Sequence, residues 1–423
     1  MSEGVSQGDR IATLDVVRGV AVMGILVMNI IAFAMPTAAY GNPAAYGSLS
    51  WLDYALYDFN YLFFDGKMRG LFSFLFGASA LLVIERATEK GENPARIHYA
   101  RMFWLLLFGL IHLYLIWWGD ILHHYALIGF ILFLFRKLSV RRLIHTAVGL
   151  LGVQTALFAG VAWDAQRTEA LIATGKANKA VTQQYANYRD FFGQPPPAVI
   201  AAELGTHRGD YPTVLTDRLK KEAATPISTL FIVGWETLAY MLLGMAMLKS
   251  GLLRGDWESA RYRRWLAIGA GVALPGYAFG AWWMATHHYS TSAVAAGLTV
   301  ISTPFRPLAI IAWASALALL ARHGGAVVAR IGSAGQMAFS NYLGTSLICS
   351  TLFYGYGFGL YGHLSRSQCY LVMLAIWGLM LLWSAPWLAR FRYGPMEWLW
   401  RSLARGQLQP LRRTRGEFAT ASQ

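Results

Sequence analysis

The stretch Phe103–Phe135, FWLLLFGLIHLYLIWWGDILHHYALIGFILFLF, is apolar enough to cross a bilayer twice, yet it carries His112, Asp120, His123 and His124. One transmembrane helix takes about 20 mostly apolar residues, so this run, pinched at Gly119-Asp120, predicts a tight helical hairpin. An ionisable side chain at membrane depth costs roughly 2.5 to 3.5 kcal/mol and therefore faces a bundle interior or a wet cavity. On the second helix of the hairpin Asp120, His123 and His124 stand at i, i+3 and i+4 and share one face, while His112 lies mid-span on the first. This pattern predicts a polar site inside a bundle. The alternative is an interfacial cluster at the hairpin tip, with His112 hydrogen-bonded to a neighbouring helix.

With 56% hydrophobic and 14% charged residues among 423, and 16 Trp, the chain fits an all-α, polytopic transmembrane helical bundle and excludes soluble enzyme folds. Cys349 and Cys369 lie in or beside apolar spans and read as packing residues, with neither a disulfide framework nor zinc-ligand spacing. The net charge of +14 does not indicate nucleic acid, because the basic residues fall in short loops between spans and in the C-terminal tail. Asp15 and Arg18 interrupt the first apolar run, which reads as a retained helix and not a signal peptide.

The chain divides into a half-bundle of five spans over 1–163, an extramembrane cap over 164–225, a second half-bundle of five spans over 226–390, and an interfacial amphipathic helix with a basic tail over 391–423. Leu14 to Met35 forms the first span, with Gly19 and Gly24 allowing close helix approach. Trp51 to Phe64 reads as an interfacial helix, and Asp65, Lys67 and Arg69 as a charged triplet at a membrane mouth before the second span. The hairpin supplies spans three and four, and Leu143 to Trp163 the fifth. The cap has eight Lys/Arg, seven Asp/Glu and Pro195-Pro196-Pro197, and is too long for an ordinary loop. Pro226 to Leu248 places Glu236 at the centre of the sixth span, and Trp265 to Ala285 is the seventh. Thr291 to Leu320 is one span broken around Pro304-Phe305-Arg306-Pro307 or two short ones. Gln336 to Leu360 and Cys369 to Leu388 complete the bundle. Arginine and lysine clusters at 86–101, 136–142 and 249–264 belong on the cytoplasmic side, which puts the cap outside and both termini inside for ten spans.

On this frame Asp15 and Arg18 lie near the cytoplasmic face, Asn29, Asp65, Lys67, Arg69 and the Asp120/His123/His124 group toward the outer face, and His112, Glu236 and Arg306 between. A neutral His beside a carboxylate is the usual general-base pair. As Asp120 would lie two turns from His112 on a continuous helix, Glu236 and Asp15 are also considered as its partner. Metal binding by D-x-x-H-H is not expected, since no third helix offers a clear ligand. Ser340, Asn341 and Tyr342 suit hydrogen bonding across helices.

RIATLDVVRGVAVMGILVMNI, FFDGKMRGLFSFLFG, FGLIHLYLIWWGDILHHYALIGF, GQMAFSNYLGTSLICSTLFYGYGFGLYG and RFRYGPMEWLWR together resemble the YeiB-like family of bacterial membrane proteins, a domain of unknown function, over nearly the whole chain. Through its LDxxRG motif that family is grouped with transmembrane acyltransferases, including the acyltransferase-3 proteins and the lysosomal heparan glucosaminide acetyltransferase. The resemblance implies transfer of an acyl, acetyl-type group from cytoplasmic acyl-CoA to a lipid- or glycan-linked acceptor at the outer face of a bacterial inner membrane. It carries over Arg18 as a cation for CoA phosphates. The acyltransferase-3 histidine, eleven residues beyond the motif arginine, is Asn29 here, and no histidine lies between Pro36 and Gly70. The base therefore does not carry over by motif, and His112 and His124, with Asp120, are the candidates on physical grounds. Asp15, Asn29, Asp65, Lys67, Arg69, Glu236, Asn341 and Tyr342 are candidates for binding substrate or CoA. The competing reading is a transporter or flippase using the same polar core. Membrane lipids are the expected surroundings, and a homo-oligomer is left open.

Overall fold

The computed structural model describes residues 11–413 and is all-helical, with no strand among those residues beyond a single bridge between Phe391 and Arg412. The first half contains α1 (Ala12–Ala34), α2 (Ala38–Gly41), α3 (Trp51–Phe63), α4 (Lys67–Glu89), α5 (Pro94–Ile111), which passes into a π-helical segment His112–Ile116, α6 (Leu122–Leu132) and α7 (Val140–Ala173). The cap holds α8 (Lys179–Phe192), α9 (Pro197–His207) and α10 (Tyr211–Lys221). The second half follows as α11 (Thr225–Ile232), α12 (Gly234–Lys249), α13 (Ser259–Thr286), α14 (Thr291–Ala296), α15 (Arg306–His323), α16 (Ala326–Gln336), α17 (Ala338–Phe353), α18 (Arg366–Arg390) and α19 (Pro395–Arg405).

Among the described residues, six helical runs are long and apolar enough to cross a membrane, and eight if each of two bent pairs counts as one crossing. Ten spans exceed that number because the Leu122–Phe135 helix and α17, of 16 residues, are short for a bilayer crossing. The sequence reading also separates an interfacial helix from the second span, whereas Trp51–Glu89 runs as one 39-residue apolar unit through a brief turn at 64–66. Thr291–Leu320 resolves into a bent pair, with 60° between Thr291–Ile301 and Arg306–His323. Its break coincides with Pro304 and Pro307, where proline removes backbone donors. The second pair bends by 67° between α11 and α12, at Val233.

Close packing rests on glycines that oppose backbone. A Cβ on Gly77 of α4 would lie 2.0 Å from the Met241 carbonyl oxygen of α12, and one on Gly244 of α12 would lie 2.0 Å from that of Phe74. The two glycines thus act reciprocally, as small residues do wherever helices must approach without a hydrophobic drive between them. Gly19 and Gly335 do the same for α1 and α16, with Cβ positions 2.1 Å from Ile331 O and 1.9 Å from Asp15 O. Gly24 meets the Met68 sulfur at 2.4 Å, so both glycines singled out in the first span mark close approaches.

The cap is held down by specific bonds. Asn42 Nδ2 donates to Phe192 O at 2.9 Å, Thr37 Oγ1 to Glu203 Oε1 at 2.7 Å, Arg208 Nε to Tyr361 O at 2.8 Å and Tyr211 OH to Leu115 O at 2.9 Å. Asn178 and Asp210 cap α8 and α10 through the amides of Val181 and Thr213.

Gly77→Ala or Gly244→Ala is expected to lower stability by about 1–3 kcal/mol, since the new methyl meets rigid backbone. Gly149→Ala, where nothing lies within 4 Å, leaves stability unchanged or slightly higher. Denaturation midpoints in detergent measure the contrast, and equal effects at the three positions contradict the packing account.

Candidate functional site

The hairpin does not fold as two regular helices joined at Gly119. The π segment ends at Trp117, which is extended (φ −154°, ψ 132°), and α6 begins only at Leu122. A π turn inside a helix commonly marks a functional position. The irregular stretch turns Asp120 back, so that its Oδ2 accepts from His112 Nδ1 at 2.6 Å. Asp120, placed out of reach by continuous-helix spacing, is thus the partner of His112. Asp120 Oδ1 accepts from His123 twice, from the amide at 2.9 Å and from Nδ1 at 2.7 Å. Neutral rings donating from Nδ1 present Nε2 lone pairs, and both Nε2 atoms are buried without a partner. Both rings are sealed, His112 at 1% exposure. Tyr342 lies over His112 with ring centroids 5.3 Å apart, and its hydroxyl accepts from the Ile121 amide at 3.3 Å.

His124 takes no part in this pair. Its Nε2 bonds Thr237 Oγ1 of α12 at 2.9 Å. The residue that shares Asp120 with His112 is His123, which the i, i+3 spacing contained. No group of three or more His, Cys, Asp or Glu that could hold a metal ion occurs among the described residues.

Glu236 lies in the first turn of α12, just past the bend and near the middle of the bent pair Thr225–Lys249. It is fully buried and pairs with Arg69 through Oε2 and with Arg306 through Oε1, while Tyr240 OH donates to Oε1 at 2.8 Å. Arg306 also donates to Ser302 Oγ at 2.8 Å, across the break before α15. Lys67 is buried over the Tyr277 ring, 3.0 Å from its centroid, and bonds the Tyr61 carbonyl at 2.8 Å. Two members of the Asp65/Lys67/Arg69 triplet thus turn inward to buried partners. Asn341 links Ala334 O, Ser384 Oγ and Trp383 Nε1. Asn29 lines a small gap with Phe33 and Tyr342.

Asp15 and Arg18 lie elsewhere, on a cavity of about 740 Å³ between α1, α4, α5 and α19. Arg18 donates to Asp15 at 3.2 Å and to Ser79 Oγ at 3.1 Å. The described lining brings together eight cations, Arg18, Arg86, Lys90, Arg101, Arg392, Arg401, Arg405 and Arg413, against Asp15, Glu92 and Glu397. Phe72, Phe76, Met102 and Phe339 give it an apolar side. Trp400 fixes α19 to the wall, donating to Arg101 O at 2.9 Å beneath that guanidinium. Glu397 accepts from the Phe339 and Ser340 amides at 2.7 and 3.1 Å, and burial pushes its carboxyl above the usual range despite those bonds. Sequence reasoning assigned Arg86 and Arg101 to topology and passed over Glu397. Loop charge gives orientation, but it does not show which arginines converge.

Glu236→Gln is expected to cost about 3–5 kcal/mol, because it strands two cations in the bundle. Adding Arg306→Met to that variant restores part of the loss. A double variant that unfolds as easily as the single one contradicts the pairing account.

The family model for Protein of unknown function (DUF418) matches residues 247–407. Uncharacterized protein YeiB of Escherichia coli (strain K12) is 34% identical over 409 residues, covering 93% of this chain and 96% of the relative. Uncharacterized protein YxaH of Bacillus subtilis (strain 168) is 31% identical over 412 residues, covering 95% and 96%. An uncharacterized 39.9 kDa protein in the amylase 3′ region of Bacillus acidopullulyticus is 26% identical over 416 residues, covering 96% and 97%. No solved structure matches. Identity of this order along almost the whole length, with the C-terminal match to the family model, makes this chain a member of the YeiB-like, DUF418-containing family of proteins.

Proposed function

We propose that the protein is a membrane-bound acyltransferase of the bacterial inner membrane, moving an acyl group from cytoplasmic acyl-CoA to an envelope or lipid-linked acceptor. The observation that carries this reading is the basic cavity at the LDxxRG motif. A concentration of guanidinium groups beside an apolar wall suits a polyanion with an uncharged arm, and CoA has that composition. The cavity also stands close to a candidate base. Phe339 lines it, and Tyr342, three residues along α17, faces His112, an axial step of about 4.5 Å.

In this scheme Asp120 fixes the His112 ring and stabilises the imidazolium, leaving Nε2 to take the acceptor's proton. The acceptor oxygen then bonds the acyl carbon, the C–S bond breaks, and the thiolate leaves as the thiol by taking the proton that His112 holds. Arg18 holds a phosphate and Asp15 holds Arg18. The bundle crosses ten times, with the short α6 and α17 completing the count, both termini cytoplasmic and the cap outside.

The second reading, a transporter or flippase, has an observation of its own: two bent helix pairs meet through Glu236 and Arg306, and broken helices at a buried polar centre are common in transporters. Acyl-CoA binding separates the two.

Arg18→Ala is expected to weaken acyl-CoA binding by about tenfold or more at unchanged folding, as loss of a charge-assisted contact does. Normal binding by this variant removes the motif arginine from the donor site. His112→Asn is expected to keep ligand binding and lose about 10²-fold or more in turnover. Retained turnover transfers the role to another group. For the topology, a cysteine at Gly175 should react with an impermeant maleimide in intact cells. Labelling only after permeabilisation reverses the sidedness.

A further inference from the structure

Arg218 is an inward-facing cation of the cap. It lies on α10, is 4% exposed, and reaches Tyr114 O only by a long bond of 3.5 Å from Nη1, while its Nη2 has no partner. Asp217, next to it in sequence, pairs instead with Lys221 at 2.9 Å. The guanidinium lies 6.0 Å from the Tyr354 ring centre, and the fully buried Tyr354 hydroxyl is also without a hydrogen-bond partner. A third buried donor without a partner is Trp117 Nε1. Val214, one turn before Arg218, packs in the same apolar cluster as Trp117 and Tyr354. Trp117 in turn stacks on Phe33 at 3.9 Å and stands 6.3 Å from the His112 ring.

Each such donor is unfavourable where it stands. A buried polar group without a partner gives up its bonds to water for nothing, and a buried cation without an anion loses more. Packing alone would favour an apolar residue at all three positions. What a guanidinium, a phenol and an indole have in common is that they donate to oxygen, and the guanidinium adds a positive charge with a fork that matches phosphate.

We propose that Arg218, Tyr354 and Trp117 form an anion-recognition site on the cap side of His112, and that its ligand is a phosphate group carried by the acyl acceptor. The acceptor assignment rests on the acyltransferase reading, whereas the anion site itself does not. A phosphate here belongs either to a lipid headgroup or to a soluble phosphorylated compound.

The test uses the full-length protein, purified in detergent and titrated calorimetrically with glycerol 1-phosphate, and reconstituted in nanodiscs of phosphatidylcholine with or without phosphatidylglycerol, read by thermal unfolding. One of the two anionic probes is expected to bind or stabilise the wild type. Arg218→Gln should weaken that effect by about tenfold or more, and Arg218→Lys by less, since lysine keeps the charge without the fork. Tyr354→Phe, which removes one hydroxyl and keeps the ring, gives a smaller loss and serves where Arg218 variants fail to fold. A response to glycerol 1-phosphate identifies a soluble ligand, and a response to phosphatidylglycerol alone identifies a headgroup. The proposal is overturned if neither probe affects the wild type, or if Arg218→Lys and Tyr354→Phe respond as the wild type does. Acyl-CoA binding is measured separately on the wild type. Its absence beside Arg218-dependent phosphate binding rejects the acyltransferase reading and leaves the anion site standing.

Discussion

The first turn of α12 ties the bundle together, and it does so through a carboxylate that cannot stand alone. Glu236 is fully buried, and only its two guanidinium partners make that placement tolerable. Those partners come from different elements, Arg69 from α4 and Arg306 from the start of α15, so one charge joins a straight helix to both bent pairs. The glycine contacts between α4 and α12 bring the helices close enough for the pairing. The next residue, Thr237, bonds His124 and thereby fixes α6 against the same turn. The hairpin and the broken helices thus take their positions from two adjacent residues.

Asp120 organises the hairpin in a comparable way, but with a different charge balance. Glu236 stands between two groups that are permanently cationic, whereas Asp120 stands between two imidazoles that need not be charged. Each ring bonds a different oxygen of the one carboxylate, His112 to Oδ2 and His123 to Oδ1.

The all-helical fold, its apolar runs and the proline-marked break were legible in the sequence, because apolar run length and turn residues are properties of composition and spacing. Pairing was less legible. His112 and Asp120 are eight residues apart, which on a continuous helix forbids contact, and the π segment with the extended Trp117 reverses that conclusion. No residue in HLYLI announces a π turn. Glu236 stands at a helix start in the middle of a bent pair, because the bend at Val233, with only Gly234 as its local signal, falls just before it. The basic cavity was hidden for another reason. Its arginines come from α1, the last turns of α4, α5, and α19 with the segments flanking it, and in sequence each cluster has a sufficient explanation in topology.

Between that cavity and His112 lies a thin aromatic layer. Phe339 packs on Phe108, with ring centroids 5.6 Å apart, and Tyr342 packs on His112 one turn further along α17. Phe108 is itself one turn before His112, so the layer is built from matching turns of α5 and α17. Any chemistry that joins a ligand in the cavity to Nε2 of His112 requires this layer to part. The backbone is already irregular on both sides of it: α5 widens into a π turn at His112, and α16 breaks from α17 at Met337. Glu397 caps the α17 side of that break from α19, so the layer is tied to the helix that closes the cavity. Glu397 is thus the tie between α19, which closes the cavity, and the α17 end of the aromatic layer.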